Sequence, residues 1–242
     1  MTRRAAIVSP LRTPVGRFLG TLAPLPAERL AAHAITAVVE RSGIDAERIE
    51  DVVFAQSYAN SEAPCIGRWA ALAAGLPISI PGMQLDRRCG GGLQSIATAA
   101  MMIQSGTADV VLAGGVESMS NIEYYTTAMR GGARAGNVQL YDRLDRGRER
   151  SQPVERFGVI SSMIETAENL AGKYDIGREE SDSFAMRSQQ RANAAWEEGR
   201  FDAGEPSDGA NVGAEACEVL LHGEAASAVG LASNASQARG GA

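Results

Sequence analysis

The sequence is poor in the residues that most often carry acid–base chemistry, metal ions and disulfides. Its 242 residues include two histidines, His33 and His222, and three cysteines, Cys65, Cys89 and Cys217. Three scattered thiols make no disulfide framework, and no CxxC or Cys/His cluster offers metal-ligand spacing, so reduced, potentially reactive thiols and no metal are expected. Lysine is nearly missing: of 23 basic residues only Lys173 is not arginine. No basic block carries interleaved aromatics, which argues against nucleic acid as a ligand. Apolar runs such as 110–113 and the alanine-rich stretch 97–103 fall far short of the ~20 residues that cross a bilayer, so no membrane role is expected. The opening MTRRAAIVSP holds too short an apolar run for a secretory signal, and the expected location is cytoplasmic. What remains is the composition of a folded globular protein, 45% hydrophobic and 21% charged with a net charge of −6, long enough for one sizeable core or two modest ones.

Along the first 120 or so residues, short apolar runs alternate with helical patterns. AAIVS at 5–9 reads as a strand, and AERLAAHAITAVVER at 27–41 sets Leu30, Ala31, Ala34, Ile35 and Val38 on one helical face. Ser42-Gly43 stops that helix. Further strands are expected at 49–55, 83–86 and 109–113, with helices at 66–74 and 91–104. Strands separated by helices imply βαβ crossovers and a mainly parallel sheet covered on both faces, an α/β fold. Residues 119–158, with Gly131-Gly132, Gly136 and the run DRLDRGRER, read as an extended excursion. Two helices follow: Ser162 and Glu165 fit a capping box, and 178–200 carries Phe184, Ser188, Ala192 and Trp196 at four-residue steps. Beyond Asp202 the chain is rich in Ala, Gly and Ser, and only Val219–Leu221 looks like a strand.

The segment LDRRCGGGLQSIATAAMMIQSG concentrates the chemistry. A strand runs into Cys89, glycines follow, and an apolar helix begins at once, which sets the thiol at the helix amino end. Exposed N–H groups and the positive end of the macrodipole there favour thiolate over thiol. The glycines leave room for an acyl group, and the Cys89 amide could stabilise an oxyanion. The same pattern also suits a tight strand-to-helix turn with a small buried residue at its corner.

The motifs IVSPLRTPVGRFLGTLAP, LDRRCGGGLQS, VVLAGGVESMS and ISSMIETAENLAGKYDIGREESDSFAMRSQQRA, in that order across about residues 5 to 202, resemble those of the thiolase family. The resemblance implies a layered α/β/α half-core with a mainly parallel sheet over residues 1–119. A helical loop subdomain that cradles CoA would occupy 120–202, and a divergent tail 203–242. It implies acyl transfer between CoA thioesters, forming or cleaving 3-oxoacyl-CoA through an acyl group on Cys89. CoA and acyl-CoA would be substrates, with no metal or other cofactor, in a homo-oligomer, a dimer or tetramer. Met163 matches a methionine that lines the acyl pocket, although a methionine on an apolar helix face reads equally well. LASNASQARGGA resembles a segment whose serine lies near CoA, which would be Ser236. Gly90, Gly91, Gly114 and Gly115 would support the cysteine by close backbone approach, and the motif Arg12–Arg17 would be structural.

The chain also departs from the family. Asp86 stands where an Asn is usual, Gly91 where Ser is frequent, and Ser162 where one branch has His. The NEAF-type Asn, the GHP histidine and the second cysteine of a CxGxG motif, which the family's second half supplies, do not occur in this sequence. That half is expected to be absent. Neither His33 nor His222 matches a family motif, so Cys89 lacks its usual base. A catalytically impaired thiolase-like protein that binds acyl-CoA or a partner subunit is therefore the alternative to an active acyltransferase. A decarboxylating ketoacyl synthase would show a different pattern around the cysteine.

Overall fold

Apolar residues at alternating strand positions divide the core between two faces of one sheet. The computed structural model describes residues 3–200 and the backbone of 225–233. The described residues form two bodies, 3–121 with 225–233, and 122–200. In the first, strands β1 (Ala5–Arg12), β2 (Asp51–Ala55), β3 (Gly82–Leu85) and β4 (Val110–Glu117) are linked by helices α1 (Ala27–Ser42), α2 (Ile66–Ala73) and α3 (Gly91–Ser105). A further strand, Ala225–Ser233, completes a five-stranded sheet; as β7 it stands in the order β1-β7-β4-β2-β3. β2 runs parallel to β3 and β4, whereas β7 is antiparallel to both β1 and β4. Four strands thus share one direction, and the fold is α/β with a mainly parallel sheet.

Because side chains alternate across a strand, neighbours in β2 and β4 point to opposite layers. Val52, Phe54, Val110, Leu112 and Val116 pack with Ala31, Ile35, Val38, Ile66 and Ala70 of α1 and α2. Val53, Val111 and Ala113 pack with Ala99 and Ile103 of α3. Gly43, at φ 64°, closes α1 in the left-handed conformation that a helix stop favours.

The strand at 225–233 was not legible as one. Val219–Leu221, the expected strand of the tail, lies outside the described residues. The segment AASAVGLAS has few β-branched residues, and alanine and glycine are weak strand formers. Its pairing along both edges supplies what its composition lacks.

In the second body, β5 (Tyr124–Tyr125) pairs antiparallel with β6 (Tyr141–Asp142), and helices α4 (Arg143–Glu149), α5 (Val154–Phe157), α6 (Met163–Tyr174) and α7 (Arg178–Glu197) follow. The arginine-rich run is helical rather than extended. The Asp142 side chain accepts from the Leu144 amide at 2.8 Å as an N-cap, Arg143 pairs with Glu123, and the Arg146 guanidinium lies 3.6 Å from the Tyr141 ring centre. Arginine is a good helix former, and a cap with such contacts makes a helix without an apolar stripe. The capping box opening α6 forms: Ser162 Oγ accepts from the Glu165 amide at 3.1 Å, and Glu165 Oε2 from the Ser162 amide at 2.7 Å. The four-residue steps of α7 mark no buried face, since Phe184 is 64% exposed. Among the described residues, no helix is long and apolar enough to cross a membrane.

Candidate functional site

The carboxyl ends of the parallel strands β2, β3 and β4 meet the start of α3, the place where open α/β sheets carry their ligand sites. β3 ends at Leu85, Asp86 and Arg87 follow, and a single 3-10 turn, Arg88–Gly90, leads into α3 at Gly91. Cys89 occupies the middle of that turn, two residues before α3 begins, and its side chain is exposed. It is not the small buried corner residue of a tight turn.

The glycines after it have separate jobs. A Cβ on Gly91 would stand 2.7 Å from Ala55 Cβ, a distance side chains do not tolerate, so a residue without one lets α3 rest on the end of β2. On β4, a Cβ on Gly115 would meet the Ala55 carbonyl oxygen at 3.3 Å and Gly92 Cα at 3.5 Å. Gly114 is buried and paired with Phe54 across the sheet. By contrast, among the described residues a Cβ on Gly92 meets nothing within 4 Å, and one on Gly90 meets only Arg87 Cγ, at 3.7 Å, which leaves space beside the thiol on their side.

Four contacts fix the turn from the amino side. Arg88 has a left-handed backbone, φ 48°, which costs a non-glycine residue about 1–2 kcal/mol. Its amide donates to Asp86 Oδ1 at 2.8 Å, and its Nη1 lies 3.3 Å from Asp86 Oδ2. The same Nη1 donates to the Ser57 carbonyl at 2.5 Å, and the guanidinium lies 5.6 Å from the Tyr58 ring centre. Asp86, the departure from the usual Asn, is the acceptor that closes this loop.

Behind it stands Glu117, the last residue of β4. Its Oε2 accepts from the Ser57 amide at 2.8 Å, while its Oε1 is buried and, among the described residues, has no hydrogen-bond partner. Burial pushes the Glu117 carboxyl above the ordinary range; hydrogen bonds from Ser57 and Tyr58 oppose that rise, and the charge of Asp86 adds to it. Ser118, also buried, receives Asn121 Nδ2 at 2.8 Å, and the same amide donates to Ala23 O at 2.9 Å. Leu19 N donates to Ser120 Oγ at 2.8 Å, so the loop after Arg12–Arg17 is tied to the turn after β4.

Arg88 was not among the residues expected at the site, and Glu117 was expected there only as part of the supporting motif 114–118; of the expected glycines, Gly91, Gly114 and Gly115 do pack at the end of β2. The other candidates are dispersed. Met163 opens α6 in the second body and is 71% exposed. Ser236 and His222 lie outside the described residues, and His33 sits in the middle of α1, not in the cysteine turn. An acidic residue closing the otherwise apolar strand VVLAGGVE was the available signal for Glu117. Cys65, the other described thiol, is half-buried, with its Sγ 3.4 Å from the Gly82 carbonyl oxygen. Among the described residues, no group of three His, Cys, Asp or Glu side chains could hold a metal ion.

Residues 5–205 match a family model described as "Thiolase, N-terminal domain". Among similar proteins, an acetyl-CoA acetyltransferase of Chromobacterium violaceum is 41% identical over 197 residues, covering 81% of this chain and 49% of its own length. The mitochondrial acetyl-CoA acetyltransferase of Bos taurus is 39% identical over 195 residues, covering 81% of this chain and 44% of its own length. The crystal structure of the Bacillus anthracis acetyl-CoA acetyltransferase superposes with a TM-score of 0.83 at 30% identity, covering 97% of this chain and 66% of the other. The chain spans about half the length of the curated relatives it matches.

Proposed function

The chain belongs to the thiolase family, and on that footing we propose that it takes part in acyl transfer between CoA thioesters, with Cys89 as the residue that carries the acyl group. The observation that bears this reading is an exposed thiol in the turn before α3, beside glycines that leave space for a thioester. In the proposed first half-reaction the Cys89 sulfur attacks the thioester carbonyl, the carbonyl–sulfur bond to CoA breaks, and the acyl group passes to Cys89. The Cys89 proton goes to a base and the departing CoA sulfur takes one up, so no oxidant or reductant enters. In the second half-reaction a base takes an α-proton from another acetyl-CoA, the resulting carbanion attacks the acyl carbonyl, the carbon–sulfur bond to Cys89 breaks and the released thiolate regains a proton, which gives 3-oxoacyl-CoA; cleavage by CoA is the reverse. A thioester is exchanged for a thioester, which orientation and an activated sulfur can drive without a resident cofactor.

CoA is the proposed partner of the second body, where Arg143, Arg146, Arg148, Arg150 and Arg156 in and around α4 and α5 offer guanidinium groups to phosphate. Met163 is proposed to touch the acyl chain and Ser236 the CoA. A homo-oligomer, a cytoplasmic location and a place in fatty-acid metabolism complete the reading. Exposed apolar residues on α3, with Leu93 at 75% and Met101 at 55%, are in keeping with association. The test is thiolysis of acetoacetyl-CoA by the purified chain at neutral pH, followed as loss of substrate. Turnover that disappears in Cys89→Ala supports the proposal, and equal rates in both proteins refute it.

A further inference from the structure

The cysteine turn is held by something more than its glycines. A left-handed arginine immediately before an exposed thiol is a local strain, and such strain persists only where the surroundings enforce it. Here the enforcement comes from two places far apart in sequence. Asp86 engages the Arg88 amide and guanidinium, and the loop after β2 engages the same guanidinium through the Ser57 carbonyl and the Tyr58 ring. That loop is itself held by Glu117 through the Ser57 amide.

We propose that Glu117 and Arg88 are positioning residues acting in series: Glu117 fixes the Ser57–Tyr58 loop, that loop fixes Arg88, and Arg88 holds the strained turn that presents the Cys89 sulfur. The proposal rests on the reading of Cys89 as the acyl carrier, and it is carried by the contacts of Arg88 and Glu117. Nothing in it requires either residue to touch substrate. Ser57 is central, because its amide faces Glu117 while its carbonyl faces Arg88; one peptide-chain residue links the end of β4 to the nucleophile turn. The unpartnered Oε1 of Glu117 fits the same view. A buried carboxyl with one oxygen unsatisfied is a costly way to hold a loop, and desolvation raises its pKa, as expected where position rather than stability is served.

The series makes a prediction that a set of independent contacts would not. In the full chain, alkylation of Cys89 by iodoacetamide at neutral pH is measured by peptide-level mass spectrometry, with Cys65 as the internal reference. Glu117→Ala and Arg88→Leu should each slow Cys89 by about fivefold or more, leaving Cys65 unchanged. Glu117→Gln, which keeps an oxygen acceptor for the Ser57 amide, should restore the rate to within about twofold. The double variant should be no slower than the slower single one, because both changes cut one chain of contacts. If Glu117→Ala does not fold, Arg88→Leu, whose side chain is half exposed to solvent, still decides the matter. A wild-type rate in Arg88→Leu overturns the proposal, as does a Cys65 rate that falls in step with that of Cys89 or a double variant whose losses multiply. The readout involves no acyl-CoA, so it stands apart from the acyl-transfer reading: a series that behaves as stated in a protein that never acylates leaves the positioning intact and removes the function.

Discussion

Glu117 holds its loop at an energetic cost that pH reveals. Burial sets its folded-state pKa above that of the unfolded chain. Its carboxyl therefore favours folding fully below the unfolded value, and that contribution is lost as pH rises through the folded value. Glu117→Gln is neutral at every pH and removes the dependence. The melting temperature of Glu117→Gln minus that of the parent should grow as the pH is raised from about 4 to about 8, since other carboxylates cancel in the difference. Thermal melts of the two proteins at matched pH values check this, and a difference that stays flat or shrinks would show that the carboxyl is not desolvated. Cys89 was legible at this scale because a strand, a thiol and consecutive glycines follow one another in the chain. Arg88 was not, because what marks it is contact with Ser57, 31 residues away; for Glu117 the chain shows an acid at the end of an apolar strand, while its contact with Ser57, 60 residues away, is visible only in the fold.

Among the elements, α3 does most to place the site, and its glycines separate structural need from open space. Gly91→Ala forces a methyl to 2.7 Å from Ala55 Cβ, an overpacking that should cost about 1–3 kcal/mol in urea unfolding. Gly92→Ala, one residue on, meets nothing within 4 Å and should be neutral or stabilising by up to about 1 kcal/mol, the ordinary gain of alanine over glycine in a helix. Equal destabilisation by both would contradict the packing of α3 on β2. Elements with an apolar period, such as α1 and α3, and strands with a continuous apolar run, such as β4, were readable from the chain with ends displaced by a few residues. α4 and the strand 225–233 were not. One is made by its cap and arginine contacts and the other by pairing on both edges, and neither leaves a hydrophobic period to read.

At the scale of the whole molecule, alternating strands and helices announced the layered α/β body, and ordered motifs announced the family to which the chain belongs. The mixed direction of the sheet was hidden, because only the pairing of β7 between β1 and β4 reveals an antiparallel member. The central claim concerns a covalent bond, and the most direct measurement is intact mass spectrometry of the full chain after incubation with acetyl-CoA, followed by digestion to locate any adduct. The account predicts one acetyl group on Cys89, released when free CoA is added and missing in Cys89→Ala. A chain that stays unmodified, or that carries its acetyl group on Cys65 or Cys217 instead, would contradict it.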